Sequence, residues 1–66
     1  MKIGEKIKEL RIERGISQAQ LAKHIGVSQK AVDYWERGIN EPKASYVIAL
    51  VRFFELSFDE FFCDIE

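Results

Sequence analysis

The sequence predicts an all-α fold of five short helices packed as one domain over residues 1–66. Apolar residues recur at spacings of three and four along most of the chain, which is typical of helices buried on one side. Two Ser-x-x-Gln/Glu sequences, beginning at Ser17 and Ser57, are capping boxes that mark helix starts. No segment shows the alternation of a half-buried strand. At this length the chain has room for a single domain with a small core.

The first helix is predicted over about residues 2–14. Ile3, Ile7 and Leu10 form an apolar stripe along one side of it, and lysines and glutamates cover the rest. Gly15 is expected to end the helix, because a residue without Cβ tolerates the backbone of a helix terminus.

Residues 18–37 have the pattern of a helix-turn-helix. The first of its helices is expected over about residues 18–24, with Ser17 as its cap. Ala22 is small where the following helix must cross closely, and Gly26 can adopt the positive φ of a sharp turn at no steric cost. The turn between the two helices is therefore predicted to be short.

The second helix of the motif is predicted over about residues 29–37 and is capped by Ser28. Val32 and Trp35 lie on its buried side at a spacing of three. The polar residues on its outer side are Gln29, Lys30, Asp33, Tyr34 and Arg37. A plain helical hairpin shows similar spacings, but the small residue, the glycine and the two caps in one register favour a DNA-binding motif.

Two further helices follow a turn at Asn40-Glu41-Pro42. We expect Pro42 at the first position of helix four, where its fixed φ fits and its missing N–H costs nothing. The inward residues of this helix are predicted to be Val47, Leu50, Val51 and Phe54. Helix five is expected to begin at the Ser57 capping box and to carry Phe61 inward with Phe58 close by.

Charge is distributed unevenly along the chain. The net charge of −1 argues against a nucleic-acid partner, because contacts to phosphates need cations. Residues 1–38, however, hold eight Lys and Arg against five acids, net +3, and residues 39–66 hold two against six, net −4. The basic half contains the helix-turn-helix, so its positive end could face DNA. The alternative is a charged surface that is merely solvated.

Other classes of protein find little support. A lone cysteine, Cys63, excludes an internal disulfide, and with one histidine, His24, no structural zinc site is expected. His24 is interpreted as a solvated helix residue. We expect no cofactor, no metal and no enzymatic activity, because no nucleophile is placed with a base. Without a long apolar segment or a signal-peptide pattern, we expect no membrane association and a cytoplasmic location.

The chain resembles the phage-repressor and Cro-type family, also called the XRE family. Residues 7–11 and 14–18 look like that family's first helix and loop, and residues 35–38 resemble the end of its recognition helix. Pro42 and residues 56–61 match its last two helices. The resemblance implies a lambda-repressor-like fold and a sequence-specific transcriptional regulator, specifically a repressor. It also implies a partly buried ion pair between Arg11 and Glu36.

In this architecture the second motif helix enters the major groove with its N-terminal outward residues at the bases. The predicted base contacts come from Gln29, Lys30, Asp33 and Tyr34. Gln29 suits adenine and Lys30 suits guanine. Asp33 either accepts from cytosine or pairs with Lys30 or Arg37 along the helix, and we favour the pairing.

Phosphate contacts are expected from the ends of the motif and from the loop that follows it. The residues concerned are Gln18, Ser28, Asn40 and Lys43, the last two carried over from the family. Glu41 departs from the family pattern, because relatives often have basic residues in that loop. This acid suggests weak phosphate binding by one subunit and reliance on a dimer.

Phenylalanines concentrate at the C-terminal end, and we expect Phe53 and Phe62 to be the outer members of two adjacent pairs. With Phe58 and Ile65 they would form an apolar patch and a two-fold homodimer interface. Two recognition helices would then lie about 34 Å apart on a palindromic site. The alternatives are a monomer with Phe62 folded over the core, and an antitoxin or other protein-interaction module whose partner is a toxin or antirepressor.

Overall fold

Five helices follow one another in a computed structural model that describes all 66 residues. They are α1 (Ile3–Glu13), α2 (Gln18–Ile25), α3 (Gln29–Glu36), α4 (Ala44–Phe53) and α5 (Phe58–Phe62). The all-α prediction is confirmed, and the limits of the first three helices agree with the sequence-based ones to within one residue. None of the five helices has the length and apolar character needed to cross a membrane.

One apolar core lies where the helices meet. It consists of Ile7, Leu21, Ala22, Val32, Trp35, Leu50, Val51, Phe54 and Phe61. Every helix contributes to it, and α3 packs against both α1 and α2. Because Ala22 is small and buried between α2 and α3, the two helices of the motif can cross closely.

The starts of α2, α3 and α5 are fixed by the predicted caps. Ser17 Oγ accepts a hydrogen bond from the Gln20 N–H at 3.1 Å, and Gln20 Oε1 accepts one from the Ser17 N–H at 2.8 Å. Ser28 Oγ accepts from the Ala31 N–H at 3.1 Å, which sets the start of α3. The second capping box, at Ser57, is formed in the same way. These local hydrogen bonds satisfy backbone donors that the helices leave unpaired.

The start of α4 differs from the prediction. The helix begins at Ala44 with Lys43 as its N-cap, so Pro42 lies before the helix and not at its first position. Lys43 is extended, with φ −64° and ψ 159°, and its carbonyl accepts the Val47 N–H at 3.0 Å. The φ of proline is compatible with both helical and extended backbone, so Pro42 alone could not fix the boundary.

A non-glycine residue closes α4 in the left-handed conformation. Glu55 has φ 58°, and its N–H donates to the Arg52 carbonyl at 3.1 Å. The Leu56 N–H donates to the Val51 carbonyl at 3.1 Å, which completes a Schellman motif. A residue with a Cβ in this conformation costs about 1–2 kcal/mol.

Replacing Glu55 by glycine is therefore expected to raise the free energy of unfolding by about 1 kcal/mol, because the Cβ that opposes the left-handed backbone is removed. Urea denaturation followed by circular dichroism measures it. Glu9→Gly is the matched control: Glu9 is an exposed residue inside α1, where the same change should lower stability by about 1 kcal/mol. A loss of stability from both substitutions would contradict the left-handed conformation of Glu55 at the end of α4.

Lys6 lies in α1 among the lysines expected to be solvated, but it is buried. Its Nζ donates to Asp64 Oδ2 at 3.2 Å. Burial lowers the pKa of Lys6, yet the hydrogen bond and the charge of Asp64 outweigh that effect, so its pKa is raised overall. The C-terminal segment runs along the start of α1, where the Glu66 N–H donates to the Met1 carbonyl at 3.1 Å. This segment covers the lysine stem that would otherwise face water.

Candidate nucleic-acid interface

The outer side of α3 carries the polar residues that the sequence predicted there. Gln29 and Lys30 are exposed in its first turn, and Arg37 is exposed at its end. Asp33 and Tyr34 are half-buried between them. Val32 and Trp35 face the core and hold the helix in this orientation.

Tyr34 lies between two cations. Lys30 Nζ is 5.4 Å from the centroid of its ring, and Arg37 Cζ is 5.6 Å from it. These residues precede and follow Tyr34 by four and three positions, so one helix side brings all three together. Cation–π attraction restrains the aromatic ring and the two basic side chains.

The carboxylate of Asp33 is engaged within the chain. Its Oδ2 accepts from Arg37 Nε at 3.0 Å and lies 2.9 Å from Arg37 Nη2. Its Oδ1 accepts from Gln18 Nε2 at 3.3 Å. The pairing along the helix that the sequence favoured is confirmed, with Arg37 and not Lys30 as the partner.

A buried ion pair joins α1 to the end of α3. Arg11 Nε donates to Glu36 Oε2 at 2.7 Å, and Arg11 Nη2 donates to Glu36 Oε1 at 3.1 Å. The Glu36 side chain is 3% exposed and the Arg11 side chain 13%. The hydrogen bond to Glu36 raises the pKa of Arg11 against the opposing effect of burial. The predicted structural ion pair is confirmed, and the remaining Arg11 Nη1 donates to the Ile16 carbonyl at 2.9 Å.

Gln18 occupies a junction between α2 and α3. Its Nε2 donates to Glu36 Oε1 at 3.1 Å as well as to Asp33 Oδ1. Both amide hydrogens are therefore used inside the chain, and the side chain has no free donor for a phosphate. The donors that remain at the start of α2 for the predicted phosphate contact are the unpaired backbone N–H groups of its first turn.

Five of the eight residues predicted to contact bases and phosphates line one hollow between α3 and the start of α4, and Gln18, Gln29 and Asp33 lie outside it. Ser28, Lys30, Tyr34, Asn40 and Lys43 are all on its walls. The side chains of Trp35 and Tyr46 also line it, and their rings are 5.8 Å apart. Glu41 lines the same hollow, so the acid that departs from the family pattern shares this surface with two of its lysines.

Only part of the predicted apolar patch is exposed. Phe58 is 51% exposed and Phe62 40%. Ile65 is half-buried and packs against the core. The exposed apolar surface of the C-terminal end is therefore carried mainly by two rings on α5.

Phe53 is the outer member of its pair, as predicted, but it is half-buried, so the prediction that it is an exposed part of the apolar patch was wrong. The ring of His24 lies 4.7 Å from its ring, and Arg14 Cζ lies 5.4 Å from it. Neighbouring Phe54 is buried. The separation of adjacent helix residues by about 100° distinguishes Phe53 from Phe54, but it cannot show that Arg14 and His24 pack on the outer ring. His24 is exposed as expected, although its ring packs on Phe53.

Gly4 is a structural determinant that the sequence argument missed. A Cβ on Gly4 would lie 1.8 Å from the carbonyl oxygen of Trp35. The backbone of α1 thus approaches the end of α3 more closely than any side chain would allow. The available signal was an isolated glycine inside an amphipathic helix, which often has a packing reason.

Comparison with known proteins gives consistent matches. A family model described as helix-turn-helix matches residues 7–61. Repressor protein C2 of Salmonella phage P22 is 39% identical over 57 residues, covering 86% of this chain and 26% of the relative. The transcriptional activator BcrR of Enterococcus faecalis is 33% identical over 60 residues, covering 91% and 29%. The cryptic phage CTXphi repressor RstR of Vibrio cholerae is 34% identical over 61 residues, covering 92% and 55%. The chain therefore spans about a quarter to about half of the length of these relatives.

Solved structures show the same similarity. The P22 c2 repressor protein in complex with a synthetic operator superposes with a TM-score of 0.84 at 36% identity, covering 92% of both chains. A transcriptional regulator from Listeria innocua gives a TM-score of 0.86 at 28% identity, covering 98% of this chain and 61% of the other.

Proposed function

The chain belongs to the helix-turn-helix family of the phage-repressor (XRE) type, and on that premise we propose that it is a sequence-specific DNA-binding transcriptional regulator. It represses by occupying an operator, with α3 in the major groove, and acts in the cytoplasm. The observation that carries this proposal is the convergence of Ser28, Lys30, Tyr34, Asn40 and Lys43 on one hollow beside α3. The similarity to a repressor whose structure contains an operator supports the same conclusion.

Base recognition is assigned to the first turns of α3. Gln29 and Lys30 are exposed there, with amide and ammonium groups that suit adenine and guanine edges. Tyr34, one turn later, contacts a thymine methyl group or a phosphate with a ring that Lys30 and Arg37 hold in place. Asp33 contributes to the arrangement through its internal pairs and not as a reader.

Substitutions at Gln29 and Lys43 should separate the two kinds of contact. Gln29→Ala should cost about 1–3 kcal/mol at one base pair of the operator and relax specificity there. Lys43→Ala should weaken all sequences alike and reduce the dependence of log K on log salt by about 0.9. Fluorescence anisotropy on the operator and its single-base variants measures both.

The control is Lys8→Ala, which removes an exposed lysine from α1, outside the hollow. It should change neither specificity nor the salt dependence by a comparable amount. An equal loss on every sequence from Gln29→Ala would refute its assignment as a base reader.

We propose further that two copies bind a palindromic operator through the exposed rings of Phe58 and Phe62, with Ile65 at the edge of the contact. A dimer compensates for the weak phosphate binding expected from Glu41, and it places two α3 helices about 34 Å apart. Sedimentation at tens of micromolar should show a dimer that Phe62→Ser weakens. If the chain is a monomer alone and a single copy binds the DNA, the dimer proposal fails.

The experiment that tests the function as a whole is in vitro selection of binding sites from random duplex DNA. A palindrome with half-sites one helical turn apart is the expected result, and loss of binding at higher salt should accompany it. A second candidate function is a protein-interaction module such as an antitoxin. The exposed Phe58 and Phe62, in the half of the chain with net charge −4, favour it. Selection that enriches no sequence would favour this second function over the regulator.

A further inference from the structure

We propose that Arg37 is a further DNA-contacting residue that binds a backbone phosphate at the edge of the major groove, and that Asp33 is the positioning residue that holds it there. This inference rests on the proposed function, since it concerns the same surface of α3. The sequence placed Arg37 on the outer side of the helix, with a possible pairing to Asp33 but no contact to DNA.

The guanidinium of Arg37 is exposed but already ordered. Its side chain is 58% exposed at the end of α3. Nε and Nη2 are both directed to Oδ2 of Asp33, at 3.0 and 2.9 Å, and Cζ lies 5.6 Å from the ring centroid of Tyr34. The planar guanidinium is already held by a carboxylate at one edge and by an aromatic ring on one face. It therefore loses little further conformational freedom when it binds a ligand.

The same geometry leaves donors for DNA. Of the five N–H groups of a guanidinium, those directed to Asp33 take two, and three have no partner within the chain. One N–H of Nη1 and one N–H of Nη2 are among the three, and these two point in parallel from the outer edge of the guanidinium. Such a pair of donors matches the oxygens of a phosphate, and the charge strengthens each hydrogen bond.

Asp33 also places this arginine where DNA backbone is expected. Its other oxygen accepts from Gln18, the first residue of α2. In a helix-turn-helix the first helix of the motif crosses the backbone of the duplex, while the second enters the groove. An arginine joined through one carboxylate to the start of α2 therefore lies at the level of the backbone.

The contacts of the Asp33 carboxylate also fit a role in positioning Arg37 better than a role in reading a base. Each of its oxygens already accepts a hydrogen bond within the chain, so Arg37 and Gln18 set the orientation of the carboxylate before any DNA is bound. A free carboxylate on this surface would repel phosphates, whereas the Asp33–Arg37 pair is neutral. Lys30 remains as a full positive charge on the other side of Tyr34.

The test compares Arg37→Gln, Asp33→Asn and the double variant with the unchanged chain on its selected operator. Affinities are measured over a series of salt concentrations. Arg37→Gln should lower the affinity about tenfold on the operator and on its single-base variants alike, and the slope of log K against log salt should fall by about 0.9. Arg52→Gln, an exposed arginine on α4, is the control and should leave both values unchanged.

Asp33→Asn should weaken binding only while Arg37 is present, so the double variant should bind no more weakly than Arg37→Gln. A loss of stability alone would not produce that coupling or change the salt slope. Arg37→Lys should restore the slope of log K against log salt but recover only part of the affinity, because lysine keeps the charge and lacks the paired donors of the guanidinium.

Two results would overturn the assignment. One is a changed preference at a single base pair in Asp33→Asn, which would make Asp33 a reader. The other is an unchanged salt slope in Arg37→Gln. A wild-type chain that binds no selected duplex would instead overturn the proposed function itself.

Discussion

Replacing Arg11 by alanine is expected to lower the free energy of unfolding by about 3–5 kcal/mol. Glu36 is 3% exposed and would keep only the Gln18 amide as a donor to its carboxylate. The Ile16 carbonyl would lose the donor that Arg11 Nη1 supplies. A domain of 66 residues has a total stability of about 3–10 kcal/mol, so this one substitution removes much or all of it. Urea denaturation followed by the fluorescence of Trp35 measures the loss.

Two further variants separate the stranded charge from the lost contact. Arg52→Ala removes an exposed arginine from α4 and should change stability by less than about 0.5 kcal/mol. The double variant Arg11→Met with Glu36→Leu should recover most of the loss, because no lone charge then stays buried. A cost below about 1 kcal/mol for Arg11→Ala is what an exposed pair would give, and it would show that Glu36 is solvated.

The parts of the fold that the sequence predicted correctly depend on neighbouring residues. The boxes at Ser17 and Ser57 need a partner only three residues away, and the turn at Gly26 needs only its own φ of 89°. The outer side of α3 followed from helical spacing once Val32 and Trp35 were assigned to the core. Each of these features is decided within one or two helical turns, so the sequence alone contains the cause.

Apart from the start of α4, where Pro42 fits both helical and extended backbone, the errors concern contacts between distant segments. Lys6 is buried because Asp64, 58 positions later, folds over it, and no local pattern indicates that partner. Phe53 is less exposed than expected because His24, on another helix, packs on its ring. The pair of Arg11 and Glu36 spans 25 positions and was predicted through family resemblance, not through periodicity.

The candidate interface was predictable to a similar extent. Spacing placed Gln29 and Lys30 outward, but it could not show that the Gln18 amide is used by two carboxylates. Spacing alone also left open whether Asp33 reads a cytosine or pairs with a cation along the helix. The geometry of the charged network, and with it the part played by Arg37, depends on how α2 packs against α3, which only the assembled fold reveals.

Gly4→Ala should lower the free energy of unfolding by about 2–3 kcal/mol, although the same change stabilises an open helix surface by about 1 kcal/mol. The added Cβ would lie 1.8 Å from the Trp35 carbonyl oxygen and 2.9 Å from its carbonyl carbon. Backbone cannot rotate aside as a side chain can, so α1 must move away from the end of α3. Overpacking of this kind outweighs the gain in helix propensity, and urea denaturation should show the loss.

Gly15→Ala isolates the effect of backbone conformation from that of packing. Gly15 has φ 69° and open space where a Cβ would be, so its substitution should cost about 1–2 kcal/mol without moving any helix. Displacement of α1 in Gly4→Ala should also increase hydrogen exchange at the first hydrogen-bonded amides of that helix, beginning with Lys6, whereas Gly15→Ala should leave them unchanged. A gain in stability from Gly4→Ala would contradict the close contact between α1 and the Trp35 carbonyl. Helix propensity could determine the change in the free energy of unfolding only if the two helices were farther apart in solution.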